Sequence, residues 1–210
     1  MEKKTYFSNH DNDNDNDLEI LINLMSRLPG LGKRSARRAV LHMLERKEVL
    51  LDPIAKAFEN VNLKIQKCSN CGNISTITKC DICSNPDRDK KKLCVVADVS
   101  DLWAMERAKI FNGNYYVLGG LLSAINGLGP EELSLPKLFK KILNDGITEV
   151  ILALNATIDG QTTAYYISDQ LSKNDLEITT LAHGVPIGGE LEYLDEGTLN
   201  IAFKSRKKLY

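Results

Sequence analysis

Apolar side chains recur every third or fourth position between residues 18 and 67, and this spacing predicts a helical module. The string L-P-G-L-G ends the first helix, and Pro53 opens the third. The three apolar stripes are Leu21, Leu24, Met25 and Leu28; Ala36, Ala39, Val40, Met43 and Leu44; and Ile54, Ala57, Phe58 and Val61. We therefore expect three amphipathic helices joined by short turns.

From Leu93 onward the period changes, and short apolar runs alternate with helical stretches. Strands are predicted at L-C-V-V-A-D, N-Y-Y-V-L-G-G, T-E-V-I-L-A-L-N and L-E-I-T-T-L-A. Helices are predicted between them at D-L-W-A-M-E-R-A-K, P-K-L-F-K-K-I-L-N and T-A-Y-Y-I-S-D-Q-L. This alternation predicts an α/β domain with a mostly parallel sheet and helices on both faces. We expect Cys94 to be a core thiol and Trp103 and Met105 to pack in the first of these helices.

The chain begins with a segment of different character. Residues 1–17 end in D-N-D-N-D-N-D, a run with nothing apolar to bury, which predicts a solvated acidic tail. Alternating Asp and Asn also suggest a calcium loop, but the Gly and distal Glu of an EF-hand are missing from their offsets. No apolar run reaches the roughly 18 residues that a membrane helix needs, and no signal peptide is evident. The expected location is therefore the cytoplasm.

The formal net charge of −1 over 210 residues hides an uneven distribution. Between residues 18 and 67, ten Lys and Arg residues face five Asp and Glu residues. Four of these cations follow the turn in R-L-P-G-L-G-K-R-S-A-R-R: Lys33, Arg34, Arg37 and Arg38. In the same turn Gly30 and Gly32 flank one apolar residue, as in a helix-hairpin-helix motif.

This hairpin is a candidate site for a nucleic-acid backbone. Two glycines let the chain turn tightly and approach a phosphate, and the next helix points its free N–H groups and positive dipole end at that phosphate. Such contacts ignore base identity, so binding without sequence preference is expected. The alternative is an ordinary interhelix turn with a solvated basic face. The string G-L-G-K-R-S also resembles the end of a P-loop, but it lacks the first glycine and follows a helix.

Two C-x2-C pairs form the clearest motif of the chain. Their spacing lets four thiolates converge on one ion in the tetrahedral shell that zinc prefers at structural sites. The alternatives are two disulfides or four core thiols, and the absence of a signal peptide argues against the first. The predicted ligands of one structural Zn²⁺ are Cys68, Cys71, Cys80 and Cys83.

The carboxyl ends of the predicted strands are where a small α/β domain would bind a ligand. A Toprim (topoisomerase-primase) site needs a glutamate after the first strand and an Asp-x-Asp after the third, because Mg²⁺ requires hard carboxylate ligands. Here those positions hold Ala97, Asn155 and Thr157. Asp98 and Asp159 are out of phase and are expected to cap the helices that follow. The sequence therefore predicts that this domain is not an enzyme.

The C-terminal region begins with the Gly/Pro loop in A-H-G-V-P-I-G-G-E-L-E and ends in K-S-R-K-K-L-Y. His183 lies near Glu190 and Glu192, but with no nucleophile beside them we expect a loop histidine that is hydrogen-bonded locally. The terminal cations form a second basic patch: Lys204, Arg206, Lys207 and Lys208.

The chain contains, in order, a helix-hairpin-helix motif, a four-cysteine finger, a Toprim-like domain without the metal-binding carboxylates, and the C-terminal string. This succession resembles the bacterial RecR family. The resemblance covers residues 18–210 and is carried by L-P-G-L-G, C-x2-C-x8-C-x2-C-S-N-P, Y-x-V-L-G-G and A-H-G-V-P-I-G-G-E-L-E. By this resemblance, the family's phosphate-binding residues correspond to Arg34 and Arg38. One departure is Ala97, where the family usually has a glutamate that is implicated in its interactions.

The resemblance implies a recombination mediator in DNA repair that closes a ring, as a dimer or tetramer, around single- or double-stranded DNA. It further implies RecO, and in some settings RecF, as partners in loading the RecA recombinase onto strands coated by single-strand-binding protein. The alternative is a metal-dependent nuclease or primase-like Toprim enzyme. A protein-interaction module with incidental basic charge is a third hypothesis.

These motifs divide the chain into five expected segments. They are an acidic tail (1–17), a helix-hairpin-helix module (18–67), a four-cysteine zinc finger (68–92), a Toprim-like α/β domain (93–183) and a C-terminal segment (184–210).

Overall fold

The structure is a computed structural model that describes residues 16–208. The chain divides into two compact units, Met1–Leu63 and Lys64–Tyr210. Residues 1–15 of the predicted acidic tail lie outside the described residues. Its last two residues do not continue the tail: the Asn16 side chain accepts a hydrogen bond from the N–H of Leu18, and Asp17 is the first residue of a helix.

The first unit is helical. Its elements are α1 (Asp17–Met25), α2 (Lys33–Glu45), a π-helical segment (Lys47–Leu51) and α3 (Asp52–Lys64). Ile22 of α1 packs against Ala36 and Val40 of α2, and these three side chains form the buried core of the unit. The third helix is amphipathic as predicted, but within residues 16–208 none of its side chains is buried. The π-helical segment was not predicted, and α3 begins one residue before Pro53.

The second unit contains six strands and five further α-helices among the described residues. Its elements are β1 (Gln66–Lys67), β2 (Ile74–Ser75), α4 (Asp81–Ser84), β3 (Asp89–Val96), α5 (Val99–Ala108), β4 (Gly113–Val117), α6 (Leu135–Asn144), β5 (Glu149–Ala153), α7 (Ile158–Leu171), β6 (Glu177–Thr180), a 3-10 turn (Leu191–Tyr193) and α8 (Glu196–Lys204). The predicted zinc-finger segment 68–92 thus overlaps the first four residues of β3, and α8 was not predicted.

Strands β3 to β6 form one parallel sheet in the order β4-β3-β5-β6. Alternate residues of the central strand β3 face two separate cores. Leu93 and Val95 join the larger one with α6 and α7, and Cys94 and Val96 join the other with Leu102 of α5. Burial on both faces explains why β3 reads as an unbroken apolar run. The predicted α/β fold with helices on both faces is confirmed.

Cys94 is a core thiol, as predicted. It is fully buried between β4 and β5, and burial raises the pKa of its thiol to about 12. In the part of the chain that the structure describes, every helix is too short or too polar to span a bilayer.

Candidate metal centre and nucleic-acid interface

The two C-x2-C pairs come together in one buried cluster. The four Sγ atoms all lie within 4.8 Å of one another, and those of Cys71 and Cys80 are 3.6 Å apart. A tetrahedron with Zn–S bonds of about 2.3 Å has sulfur atoms roughly 3.8 Å apart, so the cluster matches the shell of a zinc ion. None of the four is in a disulfide. This arrangement favours metal binding over the two alternatives, paired disulfides and dispersed core thiols.

Within the cluster the thiolate, the form in which cysteine binds a metal, is favoured at Cys83, whereas the pKa values of Cys71 and Cys80 are raised. A hydrogen bond from the Cys71 thiol lowers the pKa of Cys83 to about 5, and the same bond together with burial raises the pKa of Cys71. Backbone N–H groups point at two of the sulfurs, from Cys80 to Cys68 at 3.3 Å and from Asn73 to Cys71 at 3.4 Å. The site therefore suits a cation that neutralises several thiolates at once.

The first knuckle is attached to the edge of the parallel sheet. The N–H of Val117 in β4 donates to the Cys71 carbonyl at 2.8 Å. Gly72 follows with a φ of +80°, and a Cβ there would come within 3.2 Å of the Val117 carbonyl oxygen. Glycine is therefore required at this position both for the turn and for the close approach.

Two side-chain hydrogen bonds also link the finger to the α/β domain, and sequence reasoning missed both. The Trp103 indole N–H donates to Oδ1 of Asn73 at 3.1 Å, and Nζ of Lys141 donates to Oδ1 of Asn70 at 2.8 Å. Trp103 was expected to pack in its helix, but it is 53% exposed and its indole N–H is hydrogen-bonded to the finger. Nothing in the sequence pairs positions 30 residues apart, so only the fold reveals this contact.

The hairpin turn of the first unit faces solvent. Gly30 has a φ of +79° and follows Pro29, the arrangement of a type II turn. Gly32 is the N-cap of α2 with no side-chain cap, and neither glycine has an atom within 4 Å of the place where a Cβ would stand. Within residues 16–208, the N–H groups of Lys33, Arg34 and Ser35 donate no hydrogen bond. An anion can therefore reach these N–H groups directly.

The cations around this turn differ in their partners. Arg37 forms an ion pair with Glu19 of α1 at 3.2 Å, which leaves it less available than the sequence suggested. Among the described residues Lys33, Arg34 and Arg38 form no ion pair. Arg34 and Arg38 are four residues apart on α2, so their side chains leave the same face of the helix one turn apart.

The carboxyl ends of the sheet strands carry capping groups. Ala97 follows β3 and is buried, and its carbonyl accepts from the N–H groups of Gly119 and Gly120. Asp98 caps α5, as predicted: it accepts from the N–H of Ser100 at 2.7 Å, and the hydroxyl hydrogen bond from Ser100 lowers the pKa of Asp98.

Asp159 was expected to cap α7, and this prediction was wrong. The cap is Thr157, whose hydroxyl oxygen accepts from the N–H of Gly160 at 3.2 Å, and Asp159 lies inside the first turn. The threonine that replaces a Toprim aspartate therefore holds a helix end.

Four family models match the chain in succession. They are RecR helix-hairpin-helix (residues 18–61), the RecR zinc finger domain with four cysteine ligands (65–85), Toprim domain (91–182) and RecR C-terminal (184–207). The finger model ends before β3 begins, in keeping with the strand boundary in the structure.

Curated relatives match nearly the whole chain. The Recombination protein RecR of Ruegeria pomeroyi is 56% identical over 192 residues, which are 91% of this chain and 96% of that protein. The proteins of the same name from Ruegeria sp. and Bartonella henselae are 55% and 53% identical over the same shares of each chain.

Proposed function

This chain belongs to the RecR family of recombination proteins, and from that premise we propose that it serves DNA repair in the bacterial cytoplasm as a non-catalytic clamp on DNA. Its role in DNA recombination follows from the family. We further propose that the hairpin binds the phosphate backbone of single or double strands without recognising the base sequence.

The observation that carries the proposal is the open N-terminus of α2. Three N–H groups without partners among the described residues lie beside two glycines with open space around them. Arg34 and Arg38 project from one face of the helix that follows and bring charge to the same side. Each group suits an anion, and together they fit a phosphate and its neighbour.

Equilibrium binding of a duplex of arbitrary sequence tests this assignment. Arg34→Ala and Arg38→Ala should each weaken binding, with zinc content and circular dichroism unchanged because neither side chain belongs to the buried core. Arg46→Ala is a matched control, since Arg46 is exposed on the same unit but caps the other end of α2. Equal losses for all three variants would point to general charge instead of a site.

We assign the finger's ion as one structural zinc per chain, held by Cys68, Cys71, Cys80 and Cys83. Four buried sulfur ligands leave no open position for a water or a substrate, which is the pattern of structural zinc. The ion would fix the knuckle that is hydrogen-bonded to β4 and, through Asn73, to α5.

We propose that the Toprim domain performs no magnesium-dependent reaction. This is supported by the residues at the positions where carboxylates would hold the ion: a buried alanine follows β3, and a threonine caps α7. Mg²⁺-dependent cleavage of labelled DNA, or primer synthesis, by the pure protein would favour the nuclease or primase-like alternative.

Ring closure is supported by two exposed apolar faces. Helix α3 leaves Phe58 66% and Val61 51% exposed about one turn apart, and the C-terminal region leaves Tyr193 78% and Phe203 71% exposed. Surfaces of this kind mark interaction sites. A chain with two self-association faces can contact two neighbours and close a ring, and several weak hairpins joined in one ring bind DNA durably.

Solution mass tests this part. A dimer or tetramer is expected for the wild type, and Phe58→Glu should lower the mass by removing one of the two contacts. A wild type that is monomeric with and without DNA would contradict the ring.

We extend the proposal to the family's partners. RecO, and in some settings RecF, would bind the clamp and help to load RecA onto strands coated by single-strand-binding protein. Pull-down of purified RecO by this chain, with and without DNA, tests it. Ala97 replaces the usual glutamate, so an Ala97→Glu variant that binds RecO more tightly would show that this position contributes to the contact.

A further inference from the structure

A cleft of about 360 Å³ lies at the carboxyl ends of β5 and β6, between α7 and α8. This volume is within the range of small-molecule sites. Apolar side chains from a strand and a helix line part of it, among them Ile178 and Ile201. Helix α7 starts so close to the end of β5 that a Cβ on Gly160 would come within 1.9 Å of the Asn155 carbonyl oxygen. The cleft is thus built into the fold of this unit.

The polar side chains of the cleft include no carboxylate and no Lys or Arg. They are Asn155, Gln161, Ser168, Thr180 and His183. Within residues 16–208 none of these side chains donates or accepts a hydrogen bond, so the prediction that His183 is hydrogen-bonded locally was wrong. Amide, hydroxyl and imidazole groups supply both donors and acceptors. The complementary ligand has donors and acceptors along its edge.

An aromatic ring and a set of cations complete the surroundings. Tyr165 lines the cleft and is 76% exposed, so one face of its ring is open to a planar ligand. Lys204 lies one turn beyond Ile201 on the same face of α8, about 4.5 Å further along the helix axis. Exposed cations continue beyond α8 at Arg206, Lys207 and Lys208.

The acidic groups that precede or begin α8 lie at the opposite end of that helix from those cations: Glu190, Glu192, Asp195 and Glu196. One further exposed carboxylate, Asp159, lies at the start of α7 beside the cleft-lining Gly160. A polyanion would therefore pass the carboxyl end of α8 and avoid its beginning.

We propose that this cleft receives one unpaired base of single-stranded DNA. Tyr165 stacks on the base, the polar groups of the cleft hydrogen-bond its edge, and Lys204 and Arg206 neutralise the neighbouring phosphates. Aromatic platforms beside cationic tracks are how proteins hold single strands. The inference rests on the DNA-binding function proposed above and adds to it a preference: a paired base in a duplex cannot enter the cleft.

The test compares a single strand of about 15 nucleotides that contains 2-aminopurine with the same strand in a duplex. Tyr165→Ala should weaken single-strand binding roughly five- to a hundredfold, the range that one base–aromatic stack contributes, and should abolish the 2-aminopurine fluorescence change. Duplex affinity should stay that of the wild type. Tyr165→Phe should keep single-strand binding, because it keeps the ring. Ile158→Ala is the control, because Ile158 is an 84% exposed apolar side chain on the same helix that does not line the cleft.

Three results would overturn the inference. One is single-strand affinity that Tyr165→Ala leaves unchanged, and another is an equal loss in Ile158→Ala. The third is a lower solution mass of Tyr165→Ala, which would make the cleft a contact between copies of the chain. In each case retained duplex binding would leave the proposed function standing, whereas a wild type that binds neither form of DNA would end both.

Discussion

The zinc knuckle and the hairpin turn are both short turns that depend on glycine, yet they are built for opposite purposes. At the knuckle, Gly72 lies against Val117, and the groups around it are bonded within the chain. At the hairpin, Gly30 and Gly32 have open space around them, and the N–H groups that follow have no partner among the described residues. A turn whose polar groups are satisfied internally stabilises the fold. A turn that leaves them open is available to a ligand.

The largest expected effect comes from breaking the metal centre. Cys80→Ser, or removal of the metal by a chelator, should unfold the finger, because such domains gain their folding free energy from the ion. Zinc analysis should give about one ion per chain for the wild type and a marked loss for the variant.

The chain's single tryptophan provides a second readout of that change, since Trp103 bonds the finger through Asn73. Its fluorescence should shift on chelation while the helical signal of the first unit remains. A Cys80→Ser protein with full zinc content and unchanged fluorescence would contradict a structural zinc.

Replacement of a glycine should give the next largest effects. At the knuckle it should lower the stability of the protein, and at the hairpin it should weaken DNA binding without lowering stability. Gly72→Ala should destabilise the protein by about 1–2 kcal/mol, because alanine is strained at a φ of +80° and its Cβ meets Val117. Gly32→Ser should leave the free energy of unfolding unchanged or slightly higher, because serine is a good N-cap. It should nevertheless weaken DNA binding, because its hydroxyl occupies the open N–H groups. Urea unfolding and duplex binding of both variants measure this; a destabilised Gly32→Ser that binds DNA normally would reverse the comparison.

A smaller effect is expected from the link between finger and sheet. Trp103→Phe keeps an aromatic ring but removes the hydrogen bond to Asn73, which should cost about 1 kcal/mol of unfolding free energy. Met105→Leu is a suitable control in the same helix, because it conserves volume and breaks no hydrogen bond. Equal stabilities of Trp103→Phe and the wild type would show that the contact does not hold the finger in place.

The parts that could be predicted from sequence are those with local signals. Strand–helix alternation predicts the parallel sheet because burial on both faces demands apolar runs, and the C-x2-C spacing brings four thiols to one point. What could not be predicted depends on distant residues. The pairing of Arg37 with Glu19 changes which cations of the hairpin are free, and the bond from Trp103 to Asn73 arises only when α5 packs beside the finger.

Two further differences between the predicted and the observed structure, at the start of α7 and at α8, have local causes. Thr157 and Asp159 are both acceptable capping residues, and only the backbone geometry decides that the threonine is the cap. Helix α8 was not predicted, although Asp195 supplies its N-cap by accepting from the N–H of Thr198 at 2.9 Å. Its position beside β6 is what creates the cleft.

The central claim is that the hairpin holds DNA through backbone phosphates, and the salt dependence of binding tests it most directly. Affinity would be measured against salt concentration for the wild type, Arg38→Ala and Arg34→Ala/Arg38→Ala on two duplexes of unrelated sequence. We predict equal wild-type curves for the two duplexes and a slope of log affinity on log salt that falls by about one unit for each phosphate contact removed. Superimposed curves for the wild type and the double variant would contradict the claim, and would place the DNA-binding surface elsewhere on the chain.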